Sequence, residues 1–167
     1  MNARPSMSQF FKGKVMSAKM NFTTQLALLA TVLLSGCVSI QMGDPAKAVE
    51  LKKFQAKEGV AQIYVCRNGN LLGGAIRVRI EIDRKPQATI AMNTFSYTEL
   101  QPGKHVIVAK TPEHDSVMDF TVAAGQQRYF QTWVVPGVFA ARGVIDEIKA
   151  ADGRACINNG DLVEAVK

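Results

Sequence analysis

The sequence predicts an all-β fold, a single antiparallel β-sandwich with an N-terminal signal helix and a short C-terminal helix. Three observations carry that expectation. From Val60 onward, short β-rich runs recur at intervals of roughly 8–12 residues with turn residues between them. One run, Ile76–Asp83, alternates apolar and charged residues, the mark of a strand with one face buried. No longer period repeats along the chain, which excludes a solenoid. Apolar residues make up 47% and charged residues 20% of the 167 positions, proportions that exclude a disordered or collagen-like chain.

The elements divide the chain into three parts: a signal segment at 1–36, a tether with a possible short helix at 37–59, and the sandwich at 60–167. Within the tether, Asp44-Pro45 reads as an N-cap with Pro at the first helical position. Ala48, Leu51 and Phe54 share one side of that helix, while Lys47, Lys52, Lys53 and Lys57 stay solvated. Strands are then expected at Ala61–Cys66, Ile76–Asp83, Ala88–Met92, Phe95–Leu100, His105–Lys110, Ser116–Val122 and Arg128–Val135. The turns between them carry Asn68-Gly69, Arg84-Lys85-Pro86, Gln101-Pro102-Gly103 and Ala124-Gly125-Gln126. Val144–Lys149 suits a strand or one turn of helix, and Asp152-Gly153 a turn. Asn159-Gly160-Asp161 reads as the cap of a closing helix over Leu162–Val166, with Leu162 and Val166 packing back on the sheet.

The N-terminal segment has its own pattern. Arg4, Lys12, Lys14 and Lys19 precede an apolar run, Leu26–Leu34, with one Thr inside it. A bilayer-spanning helix needs about 20 apolar residues, so nine residues fit the h-region of an export signal instead. The formal net charge is +6. Removing those four cations from the 20 Lys+Arg leaves 16 against 14 Asp+Glu, only +2. The basic character is a property of the signal, and it excludes nucleic acid as the partner of the remainder.

Leu34-Ser35-Gly36-Cys37 resembles the lipobox of bacterial lipoproteins. Small residues admit an extended backbone to a membrane peptidase, and the Cys sulfur is the nucleophile for a diacylglyceryl thioether. The resemblance implies cleavage before Cys37 and palmitate-type acylation of it. Multiple chains then anchor the protein to the membrane. Val38, where Asp would signal inner-membrane retention, implies the outer membrane of the cell envelope, facing the periplasm.

An ordered set of segments follows: Ile63–Arg67, Gly73-Gly74, Ile82–Pro86, Leu100–His105, Ala124-Gly125 with Tyr129-Phe130, and Val144–Gly153. Together they resemble an uncharacterised family of small bacterial lipoproteins, the domain of unknown function numbered 2846, whose Leu-x-Pro-Gly-x-His turn is similar to that of PEGA-type sandwiches. The resemblance covers about residues 57–157, implies a PEGA-like sandwich, and makes His105 architectural. Cys66 departs from it, since an aromatic or aliphatic residue is expected there. The family carries no activity, so no catalytic residue transfers.

The residues offer little chemistry. With Cys37 claimed by lipid, Cys66 and Cys156 remain. They form either a disulfide in an oxidising compartment or two buried thiols acting as small hydrophobes. His105 and His114 are the histidines present. His114, Asp115 and Ser116 are neighbours in sequence, which does not make a triad. No nucleophile elbow or phosphate loop occurs, and two His with scattered acids fall short of a zinc site. No catalytic or metal-binding residue and no cofactor is therefore expected. The apolar run Trp133–Ala141 leads from a strand into a Pro-Gly turn. Trp133 is expected in the core, with Val138 and Phe139 at the sandwich rim as a contact surface for an envelope protein partner. The function expected is a lipid-anchored binding or scaffolding module. An envelope enzyme or its accessory subunit, and a passive spacer, are the alternatives.

Overall fold

The computed structural model describes residues 40–69, 73–138 and 140–166, which form a mostly β unit. The expected signal helix, Cys37 and Phe139 lie outside the described residues. In chain order the elements are α1 (Pro45–Leu51), β1 (Ala61–Arg67), β2 (Val78–Ile82), β3 (Lys85–Ile90), β4 (Thr94–Leu100) and β5 (Gly103–Lys110). There follow β6 (Asp115–Val122), β7 (Gln127–Pro136), β8 (Ala141–Ile148), α2 (Ala150–Asn158) and β9 (Asp161–Leu162). Two sheets face each other, one in the order β8-β7-β1-β4-β9 and the other β3-β2-β5-β6.

The sandwich differs from the expected one in being mixed rather than wholly antiparallel. β1 pairs in parallel with β7, and β4 with β9, while the remaining ladders are antiparallel. Parallel neighbours need a long crossover. Here the second sheet supplies it, since all of β2, β3, β5 and β6 lie between β1 and β7 in the chain.

Alternation in β2 places Val78, Ile80 and Ile82 in the core between the sheets, with Ala61, Ile63 and Val65 of β1 and Phe130 and Val134 of β7 opposite them. Every residue of β1 is buried, because its other face is covered as well. There Tyr64, Cys66, Phe95 and Tyr129 pack beneath Leu51 of α1 and Cys156 and Ile157 of α2. The described unit is therefore layered as sheet, sheet and helices.

The C-terminal expectation is overturned. Ala150–Asn158 is the helix, with Asp152-Gly153 inside it rather than in a turn. Leu162 lies in β9 and Val163 bridges to Met42, so no helix forms over Leu162–Val166. Pairing with the free edge of β4 satisfies the backbone donors of this segment, as in Asp161 N–H to Asn93 O and Val163 N–H to Phe95 O, both about one normal hydrogen-bond length. At the other terminus α1 forms as expected, with Ala46 N–H donating to Asp44 Oδ1 at 2.8 Å. Leu51 is buried, and Gly43 N–H donates to Leu162 O, so residues 40–59 are docked on the domain.

Candidate functional site

Strand registers sort the connections into two ends. One end carries the tight turns at 83–84, 101–102 and 123–126. The other carries the loops 68–77, 91–93, 111–114 and 137–140. Val138, one of the two contact residues expected from sequence, belongs to the loop end.

There β7 runs out at Pro136, which cannot donate to a ladder. The backbone beyond it is held by one side chain from a different connection. Glu113 Oε1 accepts from Val138 N–H at 2.9 Å, and Oε2 accepts from Ala140 N–H at 2.6 Å. Arg142 Nε also donates to Oε1, at 3.2 Å. Carboxylates bound by several N–H groups form strong, short hydrogen bonds. A Cβ on Gly137 would collide with the Ala140 carbonyl and the Glu113 carboxylate, so this wrapping requires glycine. Val138 at the tip is 73% exposed, the most exposed of the large apolar side chains described. Phe139, its expected companion, is not among the described residues.

Trp133 departs from the sequence expectation. The core residues of this part of β7 are Thr132 and Val134; Trp133 is half-buried on the outer face. Period-two alternation fixes that phase. α2 covers the outer face at Tyr129, where Gly153 fits against the ring. Trp133 lies two repeats of the pleat further along and is only partly covered.

On the same outer face, Cys66 of β1 and Cys156 of α2 stand at disulfide distance, with Sγ atoms 2.05 Å and Cα atoms 6.2 Å apart. Beside them a polar clasp fixes the segment after α1. Gln62 Nε2 donates to Gln55 O at 3.1 Å, and Gln127 Nε2 to Phe54 O at 3.0 Å. The Tyr64 hydroxyl donates to Leu51 O at 3.3 Å, and Lys57 N–H to Gln62 Oε1 at 3.1 Å. Tyr64 stacks on Tyr129 with ring centroids 5.3 Å apart, and Arg154 sits over Phe54. Burial, followed by the neighbouring tyrosines, pushes the Tyr64 phenol far above its ordinary pKa, so it stays a neutral donor.

At the turn end His105 is architectural in its bonding. Nδ1 lies 2.7 Å from Asp83 Oδ2 and Nε2 2.9 Å from Gln101 O. Both partners are acceptors, so the ring must donate from both nitrogens, as only imidazolium can. Burial opposes that charge, but the hydrogen bonds to Asp83 and Gln101 outweigh it and raise the pKa above its usual value. Asp83 Oδ1 also accepts from Val106 N–H at 3.0 Å. Burial would raise the carboxyl, yet these bonds hold it below its usual range. The turn itself is Asp83-Arg84, both at positive φ (51° and 64°), and Lys85 already belongs to β3.

The remaining chemistry-bearing residues are committed to the fold. Ser116 Oγ accepts from Ile145 N–H at 3.3 Å while His114 is exposed, so the His114-Asp115-Ser116 run is not assembled. Among the described residues no group of three or more His, Cys, Asp or Glu could hold a metal ion. A shallow cleft beside Phe120 is lined by His105 and Arg128. Arg128 is engaged there by Glu147 and by Thr121 O. Buried Arg67, 3% exposed, donates to Ile76 O at 2.6 Å and Gly73 O at 2.7 Å, tying down the glycine-rich loop. Neither Arg67 nor Glu113 stood out in the sequence. Apart from Arg142, their partners named here are backbone groups, which every residue type supplies alike.

Comparison with family models, curated proteins and solved structures finds no match to this chain. No helix among the described residues is long and apolar enough to cross a membrane.

Proposed function

We propose that this is a lipid-anchored cell-envelope protein, acylated at Cys37, whose PEGA-like sandwich acts as a binding or scaffolding module. The observation that carries the reading is the lipobox-like Leu34–Cys37, which ends three residues before the first described residue of the domain, Ile40. The Cys66–Cys156 pair supports it, since a disulfide there suits a compartment beyond the inner membrane. Val38 favours the outer membrane, facing the periplasm. Metabolic labelling with a fatty-acid probe tests the anchor. Wild type takes up label and Cys37→Ser accumulates as unlabelled precursor; an unlabelled wild type ends the proposal.

Val138 favours a binding module over a passive spacer. Large apolar side chains left in water forgo about 1.5–3 kcal/mol of burial, and Glu113 fixes the backbone that holds this one out. Cross-linking in native envelopes followed by mass spectrometry tests this. Val138→Asp removes a partner from the cross-linked set if loop 137–140 is the contact surface, and changes nothing if the domain is a spacer.

A further inference from the structure

The described chain comes in at the turn end of the sandwich. Met42 bridges antiparallel to Val163, and Glu164 N–H donates to Gln41 O at 2.9 Å. Continuing that register places Ile40 opposite position 165. The next residue of the C-terminal segment, Val166, donates to Gln87 O at 2.8 Å. Gln87 is two residues from Lys85 on β3. The N-terminal segment therefore points along β3 toward the Asp83-Arg84 turn, away from loop 137–140. From Ile40 back to Cys37 is three residue steps, which extend at most ~11 Å.

The surface met there is basic. Arg84 in the turn, Lys85 at the start of β3 and Lys104 at the start of β5 are all exposed, and His105 and Asp83 join the two turns through a 2.7 Å contact. The carboxylates at this end are largely spent: Asp83 on His105 and Val106 N–H, Glu99 on Lys57 and Tyr97. Glu58 is exposed, and Asp119 is set back along β6 beside Val106. Glu164, near Gln41, is itself engaged.

We propose that the turn end is a membrane-facing surface, with Arg84, Lys85 and Lys104 contacting anionic phospholipid headgroups beside the anchor. This rests on the reading of Cys37 as the acylated residue. A basic residue near an anionic bilayer contributes about fivefold in affinity, and the effect fades within a Debye length. Three residue steps let Cys37 reach no more than ~11 Å from Ile40, so the end at which the chain enters is the end tethered closest to the bilayer. The surface orients the domain so that loop 137–140, at the opposite end, faces away from the bilayer.

The test uses the mature protein extracted from membranes and reconstituted into vesicles of phosphatidylcholine, with or without 30% phosphatidylglycerol. Hydrogen exchange is read at residues 83–86 and 101–105, and at 111–114 and 137–140. Exchange at the first pair slows about fivefold or more in phosphatidylglycerol vesicles. The slowing disappears in 0.5 M NaCl and in the variant Arg84→Gln/Lys85→Gln/Lys104→Gln, whose exposed side chains leave the fold intact. The loop end exchanges alike in both vesicles. Equal exchange at the turns in the two vesicles, or protection at the loop end, overturns the surface. Mass spectrometry of the same sample separates the two readings. Acylated protein without protection removes the surface alone, and protection without an acyl group removes the anchor alone.

Discussion

The two faces of the five-stranded sheet are built by different rules. Its inner face meets the second sheet mainly through aliphatic side chains and Phe130, with polar ties such as Thr98 to Gln87 and Ile145 N–H to Ser116 Oγ joining the sheets as well. Its outer face meets α1, α2 and the segment at 52–57, and is fixed by a cysteine pair, two glutamine amides and three tyrosines. α2 shows why. Its sequence, AADGRACIN, buries only Gly153, Cys156 and Ile157, too little apolar surface to hold a short helix by burial alone. Where area is scarce, specific ties take over.

If that contrast is right, the inner face should respond to lost volume. Phe130→Ala, at a side chain with no exposure, should cost about 3–5 kcal/mol, seen as a lower denaturant midpoint and loss of protection in both sheets. The outer face should respond to its covalent tie. Cys66→Ala/Cys156→Ala should cost about 2–5 kcal/mol, and exchange should rise first in α2. If both faces open together, the contrast fails.

Two smaller changes sharpen it. A Cβ on Gly153 would lie 2.5 Å from Tyr129 Cβ, so Gly153→Ala should cost about 1–3 kcal/mol by overpacking and lower the thermal midpoint. Gln62→Leu adds apolar surface at nearly constant volume, which the inner face would tolerate. Here it removes the donor to Gln55 O and the acceptor for Lys57 N–H. A loss of about 1–3 kcal/mol is expected, and an unchanged denaturation curve would show the clasp to be dispensable. The smallest effect is that of pH at the turn end, away from both faces. The raised His105 pKa makes its contribution complete below the free value near 6.5, and lost as pH rises through the higher folded value. The depressed Asp83 works oppositely, its contribution lost as pH falls through its folded pKa. An NMR titration should place the ring above the free value and show it shift down in Asp83→Asn.

The sequence made the inner face legible because alternation is local: Ile76–Asp83 announces which residues of β2 point inward. The N-cap at Asp44-Pro45 was legible for the same reason. α2 was not, since Gly153 and scattered polar residues hide its periodicity, and its position depends on Cys66 far away in sequence. Leu162 and Val166, four residues apart, mimicked a helix because pairing with β4 is invisible locally. Of the candidate site, the apolar tip at Val138 could be read, whereas the Glu113 clasp joins groups 25 and 27 residues apart and leaves no local mark. Trp133 went to the wrong face because size suggested core, while the phase of β7 was set by Phe130 and Val134.

The parallel pairing of β1 with β7 also sets the order in which the chain can fold. β1 is the centre of its sheet, yet Gln62 and Gln127, neighbours across that ladder, are 65 residues apart. Contacts so distant in sequence form late and slow the rate-limiting step. A chain delivered N-terminus first presents β1 before β7 has emerged, and β4 can cover only one of its edges. For that interval Ile63, Tyr64 and Val65 flank an unpaired strand edge, the feature most prone to pair with a neighbouring copy. Newly delivered chains at high density would aggregate through β1, and a holdase that binds extended apolar segments would raise the yield of folded protein.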